Sequence, residues 1–151
     1  MTEISVYGYK VPLGWLSQAE ADYLIGLPQE LPTVEWVWEE MDRVWFHFNL
    51  DNRHPLTGQL IGEFYSHPIW LMNGIFTSLD PVSSFHRTSI ARYLDHFGAK
   101  AIADYGGGFG ELARAMCSAI PDVAVSIVEP YPSRVGLERL RDEARIRFVS
   151  D

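Results

Sequence analysis

From Lys100 onward, short apolar runs alternate with segments of helical spacing. Ala101-Ile102-Ala103 reads as a buried strand, Glu111 to Ile120 as a helix and Val123 to Val128 as a second buried strand. Ser133 to Ala144 reads as a second helix and Ile146-Arg147-Phe148-Val149 as a third strand. Strands and helices alternating in this order predict an α/β fold. The residues before Lys100 have a different rhythm and are expected to be mainly helical. Pro28, Pro32, Pro55, Pro68 and Pro81 punctuate them. After Thr33, a suitable N-cap, the positions Val34, Val37, Trp38, Met41, Val44, Trp45 and Phe48 follow a three-four spacing that makes one helical face. Leu56, Leu60, Ile61, Phe64 and Tyr65 make a shorter face, and Ile69 to Phe76 predicts another helix. In a further helix Asp80 is the cap, Pro81 takes the first position, Phe85, Ile90, Tyr93, Leu94 and Phe97 line one side, and Gly98 ends it. The expected division is a helical segment over residues 1–98 and an α/β segment over 99–151.

Between the first strand and its helix lies Asp104-Tyr105-Gly106-Gly107-Gly108-Phe109-Gly110. Glycines in such a turn allow positive φ, close approach of backbone to a ligand and tight packing of helix on strand. The dinucleotide fingerprint Gly-x-Gly-x-x-Gly fits poorly, because counting from Gly106 puts Glu111 at the third small position. Asp104 argues the same way: an anion there repels a pyrophosphate but attracts an ammonium group. A cationic ligand without phosphate is therefore expected. The other reading of these residues is a plain connecting turn with solvated strand-end carboxylates at Asp104 and Glu129.

The order acidic, hydrophobic, Gly-x-Gly-x-Gly resembles the cofactor motif of class I S-adenosylmethionine-dependent methyltransferases. The resemblance covers roughly residues 100–151, and it implies a Rossmann-like sheet with S-adenosylmethionine as cofactor. It implies that Asp104, Tyr105, Gly106, Gly107, Gly108, Phe109 and Gly110 form the cofactor turn, with Asp104 supporting the methionine end. Glu129, at the end of the second strand and followed by Pro130, matches the acidic residue that accepts hydrogen bonds from the ribose hydroxyls. Asp151, after the third strand, matches the position that meets the adenine amine. The glycine cluster together with Pro121 looks like the arrangement in small-molecule O-methyltransferases, although plant-type members carry a longer dimerisation region ahead of the motif. Family members have a larger sheet than the three strands found here, so the chain is expected to be the first half of the domain, a fragment of a longer protein.

Composition narrows the partners. With 47% apolar and 21% charged residues the chain is expected to be globular, and a formal charge of −8 argues against a nucleic-acid binder, which needs a basic face. A single cysteine, Cys117, forms no internal disulfide and reads as a small buried hydrophobe. His47, His54, His67, His86 and His96 show no metal-ligand spacing, and no metal is expected. The N-terminus lacks the pattern of a secretory signal, and no apolar run reaches the ~18 residues of a spanning helix, so a cytoplasmic protein without a membrane partner is expected. His86 and Arg87 are polar candidates for the substrate pocket, or else a solvated helix face. Trp36, Trp38, Trp45, Phe46 and Phe48 are expected to pack in a core, with an acceptor pocket or a homodimer interface as the other uses of such density.

These residues lead to the expectation of S-adenosylmethionine-dependent methyl transfer to a small-molecule acceptor, by O-methylation, with no catalytic base identified. Two other readings stay open. One is an oxidoreductase of the NAD-binding type, with Glu111 against it. The other is a non-catalytic module that holds cofactor or associates through its aromatic helices.

Overall fold

A computed structural model describes residues 2–150, and the chain divides after Phe76 into two compact units. The first opens with a β-hairpin that the helical reading of this region did not contain. Strands β1 (Glu3–Val6) and β2 (Tyr9–Pro12) pair antiparallel, with Glu3 opposite Pro12 and Val6 opposite Tyr9. Tyr7 and Gly8 form the two-residue connection with φ of 52° and 84°, the left-handed pair whose twist suits a tight hairpin. Ile4, Val6 and Val11 turn inward. The signal in the sequence was alternation across a Tyr-Gly pair, too short to outweigh the helical periodicity that follows.

Helix α1 (Gln18–Ile25) starts at a capping box in which the Ser17 hydroxyl accepts from the Glu20 amide while the Glu20 carboxylate accepts from the Ser17 amide. Helices α2 (Val34–His47) and α3 (Gly58–Tyr65) begin at Thr33 and Thr57, whose hydroxyls cap them, and α4 (Ile69–Leu79) follows. Val37, Val44, Leu50, Phe64, Ile69 and Met72 form this unit's core, with Trp36, Trp45 and Phe48 packed against it. Trp38 and Phe46 depart from the expected packing. They are 60% and 72% exposed, because the α2 seam runs through Val37 and Val44 and leaves both rings on its outer flank.

The second unit takes in the end of α4 from Thr77 and then helix α5 (Pro81–His96), capped by Asp80, whose carboxylate accepts from the Ser83 amide at 2.7 Å. It packs beside α6 (Glu111–Ala119) through Ala91 and Leu94. The larger side chains Phe85, Ile90 and Tyr93 on α5, and Phe97 just after it, are exposed instead. A small residue at the crossing lets two helices approach closely, which moves the bulky stripe outward.

Strands β3 (Ala101–Tyr105), β4 (Ala124–Val128) and β5 (Ile146–Val149) form a parallel sheet in that order, linked by α6 and α7 (Arg134–Leu140). Ala101 stands opposite Ala124, Tyr105 opposite Val128, and Val128 opposite Val149. Val125, Ile127 and Ile146 meet Ala113, Met116 and Cys117 of α6 in the core, with Ile102 and Phe148 packed against it. The α/β arrangement expected from the sequence is present. Helix α7 is shorter than the expected span to Ala144, because the chain turns after Leu140 to bring the Arg145 guanidinium onto the Cys117 carbonyl at 2.8 Å. Among the described residues no helix is long and apolar enough to cross a membrane.

Candidate functional site

Parallel strands deliver their C-terminal ends to one edge of the sheet, and the polar candidates gather there. Asp104 and Tyr105 are the last residues of β3, and Glu129 and Pro130 follow β4 directly. The glycine turn continues the ladder by one bond, with the Gly106 amide donating to the Val128 carbonyl at 2.9 Å. It closes where the Gly110 amide donates to the Gly107 carbonyl at 2.8 Å. Gly106, Gly108 and Gly110 adopt φ of 70°, 53° and 75°, a region where a Cβ is strained. A Cβ on Gly106 or Gly108 would meet nothing within 4 Å, so the outer side of the turn is open. The inner side is filled. A Cβ on Gly107 would lie 2.7 Å from Asp104 Oδ2, and one on Gly110 would overlap Leu140 of α7 and Ile127 of β4.

Asp104 is thus folded beneath the turn. Its Oδ2 is buried and has no hydrogen-bond partner among the described residues. Burial, and secondarily the negative charge of Glu129, hold its carboxyl above the usual aspartate range. Buried carboxylates in folded proteins are nearly always satisfied, so an orphaned oxygen at a strand end calls for a donor from elsewhere. Glu129 is half-buried, and its Oε1 accepts weakly from the Tyr131 amide at 3.4 Å. The amides of Gly107 and Gly108 meet no protein acceptor among the described residues.

The remaining candidates are distributed unevenly. Tyr105 is 79% exposed, on the opposite side of its strand from Asp104, whereas Phe109 is buried under the turn. Pro130 is exposed. Asp151 lies outside the described residues. Arg87 donates to the Thr77 carbonyl at 2.8 Å, which caps the end of α4, while His86 is exposed. Cys117 is buried within α6 and burial pushes its thiol up, as suits a core position.

Three residues near the turn escaped the sequence reading. Gly136 of α7 abuts the turn: a Cβ there would lie 3.0 Å from the Gly108 carbonyl oxygen and 3.4 Å from Phe109 Cα. A glycine inside a helical pattern was the available signal. Arg139 and Ser78 both donate to the Glu111 carboxylate, the latter at 3.0 Å. Nothing local in the sequence pairs residues so far apart. No family model matches this chain, and no curated protein matches it.

Proposed function

We propose that the glycine turn and the two strand-end carboxylates hold S-adenosylmethionine, and that the protein serves methyl transfer from it to the oxygen of a small-molecule acceptor. The observation that carries this reading is the orphaned Asp104 Oδ2 beneath a turn of three left-handed glycines. The residues fit the group. A ligand bearing an ammonium and a sulfonium would offset the charge that burial and Glu129 make costly at Asp104. A phosphate-bearing ligand would be repelled by the same carboxylates. In this scheme Gly106 and Gly108 let the ligand approach the backbone closely, the free amides of Gly107 and Gly108 offer donors, and Glu129 accepts from the ribose hydroxyls. Bound there, the cofactor supplies an electrophilic methyl group, and the protein's share is binding, orientation and exclusion of water. Asp151 is proposed for the adenine amine on the family resemblance alone.

Calorimetric titration with S-adenosylmethionine, its demethylated product and NAD tests the proposal. Binding of the first two and not the third supports it; binding of NAD alone replaces it with the oxidoreductase reading. A second reading, a module that pairs with another copy of itself, is favoured by the exposed side of α5, where Phe85, Tyr93 and Phe97 are 68%, 63% and 65% exposed. Sedimentation decides it: an apparent mass well above that of one chain favours self-association, and a clean monomer removes it.

A further inference from the structure

The turn Gly106–Gly110 is costly to hold in one shape. Three of its residues are left-handed glycines, the residue type that loses most backbone freedom on ordering. Its ends are tied by the Gly106 and Gly110 amide bonds, while the amides of Gly107 and Gly108 are uncommitted. Support reaches it from one face of α7. Gly136 sits under the Gly108 carbonyl and Leu140 packs against Gly110. Arg139 pairs with Glu111, the first residue of α6. Positions 136, 139 and 140 follow the helical spacing that puts three residues on one side, so the three contacts act as one wall along the turn.

The polar end of that wall is built to hold. The Glu111 and Arg139 side chains are only 20% and 17% exposed, so solvent screens their attraction weakly. Glu111 Oε1 also accepts from Ser78 Oγ at 3.0 Å, and Arg114 Nη1 stands 4.0 Å from its Oε2. A carboxylate at the first position of a helix is further favoured by the helix dipole. The residue that spoils the dinucleotide fingerprint therefore has partners of its own in Arg139 and Ser78.

We propose that the Glu111–Arg139 pair is a clasp that presses α7 against the glycine turn and keeps the turn in its receiving shape, making both residues positioning residues for cofactor binding. The functional half of this role rests on the cofactor reading above, whereas the mechanical half is measurable without any ligand. The test uses the full chain with Arg139→Met and Glu111→Gln, each of which removes the ion pair while keeping most of the side-chain volume. Hydrogen–deuterium exchange is followed at the bonded amides of Gly106 and Gly110 and in β4, alongside calorimetric titration with S-adenosylmethionine. The expected result in both variants is exchange faster by about tenfold at the turn with β4 unchanged, and affinity weaker by about tenfold. Arg139→Lys, which keeps the charge, recovers most of both. Turn exchange and affinity equal to the parent's, or exchange accelerated equally throughout the sheet, overturns the clasp. If the parent protein binds no S-adenosylmethionine, the proposed function fails and the exchange pattern alone still decides whether the clasp exists.

Discussion

Replacing Gly136 with alanine sets two effects of known size against each other. In an ordinary helix interior Gly→Ala stabilises by about 1 kcal/mol, because glycine gives up more backbone freedom. Gly136 is not in an ordinary place. Its missing side chain is where the turn rests, with the Gly108 carbonyl oxygen 3.0 Å, Ser133 Oγ 3.2 Å and Phe109 Cα 3.4 Å from an added Cβ. Two of those three atoms are backbone, so neither can rotate away. Overpacking of this kind costs about 1–3 kcal/mol, which leaves a net change between roughly zero and 2 kcal/mol of destabilisation. Scanning calorimetry measures the stability, with Gly58→Ala as the companion, since a Cβ at Gly58 meets nothing within 4 Å. A net loss near 1 kcal/mol would lower the melting point of a unit this size by about 4–8 °C. Titration with S-adenosylmethionine should show weaker binding, because the Gly108 carbonyl is displaced. A Gly136→Ala variant that melts higher than the parent and binds equally well would refute the close approach of α7 to the turn.

Asp104→Asn should weaken S-adenosylmethionine binding by about tenfold or more through loss of a charge-assisted contact, measured by titration at neutral pH. The parent's affinity should fall on acidification, beginning above the range of an ordinary aspartate, and the variant should lack this early fall. Stability moves the opposite way: a carboxyl held above its unfolded value destabilises the charged form, so the sheet unit should gain stability as pH falls through the raised value, and the variant should lack this gain. Glu129→Ala should cost about 1–3 kcal/mol of cofactor affinity, and an unchanged titration would remove the ribose assignment. His67 Nδ1 accepts from the Ile69 amide at 3.1 Å, and burial, then the charge of His47, hold its imidazole below the usual histidine value. The first unit should therefore lose stability as pH falls from the ordinary histidine value toward the lowered one, a loss that thermal melts of His67→Asn should not show.

Local chemistry made most of the helices and the three parallel strands legible, and long-range packing hid the rest. Thr33, Asp80 and Gly98 mark helix ends through caps that need only neighbouring residues, and the structure uses all three. Ile146–Val149 is a strand over the same residues as expected from its apolar run. The gathering of Asp104, Glu129 and the glycines at one edge follows once the strands are parallel, so that grouping too was readable. What periodicity cannot say is which side of a helix finds a partner. Helix α5 buries Ala91 and exposes Phe85 and Tyr93, a choice made by its neighbour α6 and not by its own hydrophobicity. The pairing of Glu111 with Arg139 depends likewise on where α7 lands. Tyr7-Gly8 was missed because four-residue strands leave too little alternation to be heard above the helices beside them.

The division after Phe76 has an optical consequence. All five tryptophans, Trp15, Trp36, Trp38, Trp45 and Trp70, lie in the first unit, and the glycine turn lies in the second. Intrinsic fluorescence excited at the indole band thus arises entirely from residues of the first unit. An indole response on adding a ligand to the turn would reveal that the first unit senses an event in the second. Single tryptophans placed at exposed sheet-unit positions such as Tyr105 or Tyr93, in a background with the native indoles replaced, would make the second unit visible by the same light.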